Sequence, residues 1–250
     1  MIRRVQLFEF CDQSWIPEPL RQVGMGFLAT VTRYTKIYQP TAPLLCALLE
    51  RATIKQIVVL GAGSGGGIVD LVPHLPVGTP VILTDIYPDR SFVSNNPCLR
   101  YYPEPVDALN VPKELRGLRV MYTTFHHFSP TSAQRILADA VASREPIAIF
   151  EATERSFKGL FVSLLVPILI LLFVPFVRPF RWSGLFFTYV LPVIPLFGGW
   201  DGIVSTLRSY NAAEFAAMVS DFPDYAWEFR VLKGPRGENI PSMTGSPKSR

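Results

Sequence analysis

The chain's apolar positions change period several times. Ile57-Val58-Val59-Leu60 is a continuous β-branched run that stops at Gly61-Ala62-Gly63-Ser64-Gly65-Gly66-Gly67. Such a run, bounded by glycine, predicts a buried strand. Ile68 to Leu75 continues with apolar positions at helical spacing. Pro80 to Thr84 predicts a second strand ending at Asp85, and Leu118 to Thr124 and Pro146 to Phe150 predict two more. Between the last two, Ser129 is a candidate cap and Pro130 takes the first helical position of a helix through Ala142. Strands alternating with helices predict an α/β fold with a doubly wound, mostly parallel sheet.

Upstream, Leu20, Val23, Phe27, Leu28, Val31 and Tyr34 recur at helical spacing within Leu20 to Tyr38, and Ala42 to Ala52 predicts a second helix. Asn95 to Pro105 is rich in Pro, Asn and Tyr and predicts irregular structure. Val106 to Pro112 predicts a short strand around Asp107-Ala108. Near the end, Asn211 caps a helix over Ala212 to Ser220, and Trp227 to Leu232 predicts a late strand. From Lys233 the Gly-, Pro- and Ser-rich composition predicts a flexible tail.

The pattern breaks between these parts. Gly159 to Val177 and Trp182 to Trp200 carry no charge, and Arg178-Pro179-Phe180-Arg181 separates them. Each stretch is about long enough to cross a bilayer as a helix. Pro167, Pro175, Pro192 and Pro195 favour broken, shallow helices. A hairpin dipping into one leaflet is therefore favoured over a two-helix transmembrane span, and both over a buried soluble insertion or dimer interface. Basic residues at the base (Arg155, Lys158) and at the tip leave charge bias silent on orientation.

Composition narrows this picture in three ways. A net charge of +4 is too small and too dispersed for a nucleic-acid partner. Cys11, Cys46 and Cys98 follow no metal pattern and suit a reducing compartment, which predicts a cytoplasmic core. The N-terminal residues carry Glu9 and Asp12 and no apolar core of signal-peptide length, so no cleaved targeting sequence is predicted.

Candidate chemistry gathers at the predicted strand ends. Gly61, Gly63 and Gly65 fit the G-x-G-x-G turn of S-adenosylmethionine (SAM) methyltransferases, while Gly61, Gly63 and Gly66 fit the G-x-G-x-x-G of dinucleotide enzymes. In either reading, Asp85 accepts hydrogen bonds from the ribose hydroxyls of an adenosine ligand. His126 and His127 follow the third of these strands, and Glu151 ends the next. Either histidine is a candidate base or substrate contact, or packs as a strand-end element. With no Cys, Asp or Glu at matching spacing, neither is predicted to ligate a metal. Glu151 and Arg155 either face an acceptor or form a salt-bridged helix start.

With these elements placed, the chain resembles the class I SAM-dependent methyltransferases, and within them a little-characterised bacterial family with a hydrophobic hairpin. The matching strings are Trp15-Ile16-Pro17 with Leu20-Arg21, Gly61 to Gly67, Thr84-Asp85-Ile86-Tyr87-Pro88, Val106-Asp107-Ala108, Phe125-His126-His127-Phe128, Ile149 to Arg155, Arg178 to Trp182 and Trp200 to Ser205. The resemblance implies a Rossmann-like methyltransferase sheet with a helical N-terminal extension and a hydrophobic helical hairpin insertion. It implies SAM as cofactor, held by Gly61, Ala62, Gly63, Gly65, Asp85, Ile86, Asp107, Ala108, Thr124 and Phe125. It places His126, His127 and Glu151 as catalytic residues. The division it implies is an extension over 1-52, a SAM-binding core over 53-155, a membrane-associated hairpin over 156-200, the end of the core over 201-232 and a tail over 233-250.

Two positions depart from the class. Val59 stands where an acidic residue usually helps hold the ligand's methionine part. The closing strand of the sheet would have to come from Asn239 to Thr244, which is weakly β-like. The function implied is a membrane-associated transferase acting on an apolar or lipid-like small molecule. The alternatives are an NAD(P)-dependent oxidoreductase, which lacks a Tyr-x-x-x-Lys pair here, and a degenerate methyltransferase fold serving as a membrane scaffold.

Overall fold

The computed structural model describes residues 2–52, 54–65, 67–90, 92–178 and 180–248. Gly66, on which the dinucleotide pattern rests, and Pro179 of the hairpin turn lie outside the described residues, as do Thr53 and the last two residues of the predicted tail.

Two helices lead in, α1 (Glu18–Thr35) and α2 (Ala42–Arg51). The core is built from β1 (Ile57–Leu60), β2 (Val81–Thr84), β3 (Leu99–Tyr101), β4 (Leu118–Tyr122), α3 (Pro130–Ser143) and β5 (Ile147–Phe150). Apolar helices follow: α4 (Phe157–Leu164), α5 (Val166–Phe173), α6 (Trp182–Leu185) and, after a π-helical turn Phe186–Val190, α7 (Val193–Arg208). Then come α8 (Ala212–Val219), β6 (Tyr225–Lys233) and β7 (Asn239–Pro247). The strand order is β3-β2-β1-β4-β5-β7-β6. β1 to β5 are parallel to their neighbours among themselves, while β7 runs antiparallel to both β5 and β6.

β1, β2, β4 and β5 are buried throughout, as continuous apolar runs require when helices cover both faces. On one face Val59, Leu83 and Val120 pack with α2. On the other, Val58, Leu60 and Ile149 pack with α3 and α8. Both caps form as predicted: Ser129 Oγ accepts the Ser132 amide, and Asn211 with Glu214 forms a capping box.

Three expectations change. Ile68 to Leu75 yields a 3-10 segment, Val69–His74, because Pro73 sits inside it. The third strand is Leu99–Tyr101, inside the stretch expected to be irregular. Val106 to Pro112 is a loop that follows it, with Val106 N donating to Asp85 O at 2.9 Å. Finally, the stretch read as a flexible tail is a strand over much of its length: Asn239 to Thr244, where the closing strand was expected if one formed, lies in β7, which closes the sheet between β5 and β6.

Outside the sheet, the apolar helices pack on α1, where Val23 and Phe27 meet Ile170, Val174, Val177 and Ile194. Phe157–Phe176 forms a helical run of 20 residues, long and apolar enough to cross a membrane. The return is broken: Trp182–Val190 and Val193–Arg208 meet at a bend of 81°. Phe157, Phe161, Leu164, Ile168 and Trp182 stay more than half exposed.

Candidate active site

The strand order reverses at β1, whose neighbours are β2 and β4. In an open parallel sheet, ligands bind beyond the carboxyl ends of the strands at such a point. The residues there are Gly61 after β1, Asp85 after β2, Thr123 and Thr124 after β4, and Glu151 after β5.

The glycine turn is shaped to leave space. Gly61 and Gly63 take φ of +64° and +51°, and an added Cβ would lie 2.4 Å from Thr124 Cγ2 and 2.1 Å from Met25 Cε respectively. Asp85 braces the turn: Oδ2 accepts Gly63 N–H and Oδ1 accepts Tyr87 N–H, each at 2.9 Å. Burial raises its pKa against those amide bonds. Thr123 takes φ of +46°, strained for a β-branched residue, and is held by Tyr38 O–H and by Ala152 N–H at 3.1 Å.

A cavity of about 1250 Å³ opens here. Gly61, Gly63, Asp85, Ile86, Asp107, Ala108 and Thr124 line it, and so do His126 and His127. Three predicted cofactor residues do not line it. Ala62 N–H bonds Thr84 O and Gly65 N–H bonds Ala62 O, so both serve the turn itself. Phe125 turns its fully buried ring to Tyr210 and Phe215. Glu151 also stands behind the cavity wall. It does not pair with Arg155, which bonds Glu214 at 2.8 Å. Val59 packs in the core beneath α2 and brings no carboxylate.

The histidine pair sits in a buried ionic cluster that local sequence could not reveal. His126, 1% exposed, donates Nδ1–H to Glu151 Oε2 at 2.6 Å, while Glu151 Oε1 accepts its backbone N–H at 3.1 Å. Its Nε2 has no hydrogen-bond partner among the described residues and lies 3.7 Å from Glu9 Oε1. His127 donates Nδ1–H to Asp12 Oδ1 at 2.8 Å and stands 3.7 Å from Glu9 Oε2. Arg208 Nη1 donates to Glu9 Oε1 at 3.2 Å and Asp12 Oδ2 at 3.0 Å, and its Nη2 to His127 O. Burial alone would lower the His127 pKa, but the Glu9 charge and the Asp12 bond outweigh it and hold it at about 9. Burial likewise raises Asp12, and the bonds to His127 and Arg208 reverse this to about 2.

Three residues of this site thus escaped the sequence reading in their roles, Glu9, Asp12 and Arg208; Asp201, just past the second apolar stretch, also lines the cavity. Glu9 and Asp12 reach the pair because Asp201 Oδ1 and Oδ2, on α7, accept the amides of Phe10 and Cys11 at 2.7 and 3.1 Å. The one signal available was the placement of two acids in an otherwise aromatic stretch.

Part of the cavity wall is apolar: Leu28 and Val31 of α1 line it, as do Val162, Val166, Ile170 and Phe197 of the apolar helices.

This sheet, with its reversed final strand and its glycine turn at the switch point, is the class I SAM-dependent methyltransferase fold. Human N-acetylserotonin methyltransferase, solved with SAM, matches 92% of this chain at 12% identity and a TM-score of 0.56. The plantazolicin methyltransferase BpumL, solved with S-adenosylhomocysteine, matches 92% at 12% identity and TM-score 0.51. A SAM-dependent methyltransferase from Aquifex aeolicus matches 91% at 12% identity and TM-score 0.53. The chain spans 56% of the human enzyme's length and 98% of each of the other two. No protein-family model matches the sequence, and no curated protein sequence matches it either.

Proposed function

We propose that this protein transfers a methyl group from SAM to an apolar, lipid-like acceptor at a bilayer surface. The observation that carries the proposal is the single cavity, which joins the glycine turn and Asp85 to a wall of apolar helices. Its polar end suits the cofactor: the Gly61–Gly63 turn leaves room for a close backbone approach, and the Asp85 carboxylate stands ready for ribose hydroxyls. Asp107 and Ala108, on the loop beyond β3, suit the adenine end. Bound SAM supplies an electrophilic methyl on a sulfonium. The protein's own task is alignment of the acceptor with that methyl.

His127 borders the cavity with its side chain 26% exposed and its Nδ1–H committed to Asp12, which suits it to position the acceptor's nucleophilic atom. His126, fixed by Glu151, offers an unshared pair at Nε2 for the proton of an acceptor that must lose one. Glu151 acts through His126 as a positioning residue.

Membrane association is supported by the exposed side chains of the apolar helices and by the 81° bend, which suits a hairpin lying in one leaflet better than a straight return span. Cys11, Cys46 and Cys98 are free, which suits a core facing the cytoplasm.

Isothermal calorimetry of the detergent-solubilised protein tests the proposal, with NAD as control ligand. SAM is expected to bind, and Asp85→Ala to abolish that binding; methylation of a lipid extract with labelled SAM follows. A well-folded protein that binds no SAM overturns the proposal. NAD binding in its place would favour the oxidoreductase, and binding of neither the scaffold.

A further inference from the structure

We propose that Glu9, His126 and His127 form a binding site for a divalent transition ion of the zinc class. One ligand atom from each lies within 4.8 Å of the others. Tetrahedral coordination with bonds of about 2.0–2.2 Å places neighbouring ligand atoms about 3.3–3.6 Å apart. His126 Nε2 stands 3.7 Å from Glu9 Oε1, and His127 Nδ1 stands 3.7 Å from Glu9 Oε2. The two nitrogens face different oxygens of one carboxylate, so binding would draw the three side chains together, with the ion taking the place of the hydrogen that His127 Nδ1 now donates to Asp12.

Three further features point to a cation. His126 Nε2 is buried and has no partner among the described residues, and a native interior seldom leaves such an atom orphaned. The opposite ring nitrogen is bound to Glu151 at 2.6 Å, and an outer carboxylate is one of the partners that orient metal-ligating histidines. Carboxylates also crowd the site: Glu9, Asp12 and Glu151 gather around Arg208 and the histidine pair. Arg208 shares Glu9 Oε1 at 3.2 Å and stays anchored by Asp12 at 3.0 Å, so ion and guanidinium divide the carboxylates between them.

Two imidazoles and a carboxylate favour zinc or cobalt over magnesium or calcium, which prefer all-oxygen shells. All three ligands line the cavity, so an open coordination position would face the acceptor. An acceptor oxygen or sulfur held there would be polarised by the ion, and His126 would act as a ligand rather than as a base. Metal binding itself does not depend on the methyl-transfer reading.

The test uses the full chain in detergent, freed of metal with a chelator and titrated with Co2+, whose visible absorption reports tetrahedral nitrogen and oxygen ligands. One equivalent is expected to bind, to be displaced by Zn2+ and to resist excess Mg2+. Glu9→Gln and His126→Gln are each expected to weaken binding at least 10-fold, while His74→Gln, at the only histidine outside the pair, leaves it unchanged. No saturable Co2+ binding by folded protein overturns the proposal, and so does binding that survives both ligand variants. If the variants unfold, X-ray absorption of the Zn2+-loaded wild type decides. Two imidazoles with oxygen support the site, and any other shell overturns it.

Discussion

Replacing Arg208 with methionine measures how much the ionic cluster contributes to the fold. Arg208 is 3% exposed and faces Glu9, itself 3% exposed, and Asp12. Methionine keeps most of the volume and removes the charge, leaving buried Glu9 without its guanidinium and with only the His127 imidazolium 3.7 Å away. Breaking a buried pair from one side costs about 3–5 kcal/mol, because the remaining charge is desolvated and uncompensated. In a chain of this size each kcal/mol moves the midpoint by roughly 2–4 °C, so the expected fall in Tm is about 6–20 °C. The assay is thermal unfolding by circular dichroism in detergent with chelator present, so that no ion masks the loss. Arg230→Met, at a pair about half exposed on both sides, is the control and is expected to cost about 1 kcal/mol or less. Adding Glu9→Gln to Arg208→Met removes the stranded carboxylate and is expected to restore part of the loss. An Arg208→Met variant as stable as Arg230→Met would refute the reasoning, since the guanidinium would then hold nothing in place.

Gly61→Ala forces an alanine to φ +64° and its Cβ to 2.4 Å from Thr124, so SAM binding by calorimetry should fall below detection; unaltered binding would reject the turn as the cofactor cradle. Gly67→Ala meets no φ penalty, but its Cβ would lie 2.3 Å from the Tyr122 ring, an overpacking worth about 1–3 kcal/mol in denaturant unfolding, and no change in midpoint would contradict the packing. Phe161, Leu164 and Ile168 changed together to serine should abolish co-sedimentation with anionic vesicles while SAM affinity holds; persistent sedimentation would reject this face as the membrane contact. Asp201→Ala strands the amides of Phe10 and Cys11 and should open residues 2–16 to limited proteolysis, whereas an unchanged digest would mean that the segment is held elsewhere.

The sheet was legible where local sequence carries its own reason. β1, β2, β4 and β5 are β-branched or apolar runs that end in a glycine, an acid or a polar pair, and each lies within two residues of its predicted bounds. β3 was not legible, because Leu99-Arg100-Tyr101 is only three residues long within a stretch rich in Pro, Asn and Tyr; its pairing to β2 and the packing of Tyr101 on Phe92 make it a strand. β7 reads Asn-Ile-Pro-Ser-Met-Thr-Gly-Ser-Pro, yet it is buried because β5 and β6 flank it. Gly245 is essential there: an added Cβ would lie 2.2 Å from the Trp227 ring that crosses it. His126, His127 and Glu151 were visible as strand-end residues, but their partner Glu9 was not, since only the fold brings the N-terminal segment across the sheet's carboxyl edge.

One helix joins the two unusual parts of this molecule. Asp201 and Arg208 lie two turns apart on α7, and residues at that spacing share a face. Asp201 receives the amides that open the turn Phe10–Asp12, and Arg208 holds the carboxylates of Glu9 and Asp12 on either side of it. The same helix begins in the apolar hairpin, where Ile194 is buried against α1 and Leu196 is 68% exposed. The contacts from Asp201 and Arg208 that help place Glu9 and Asp12 beside the histidines therefore depend on where α7 lies, and α7 packs among helices whose outer face is apolar. The exposed apolar face and the buried ionic cluster thus lie at two ends of one helix.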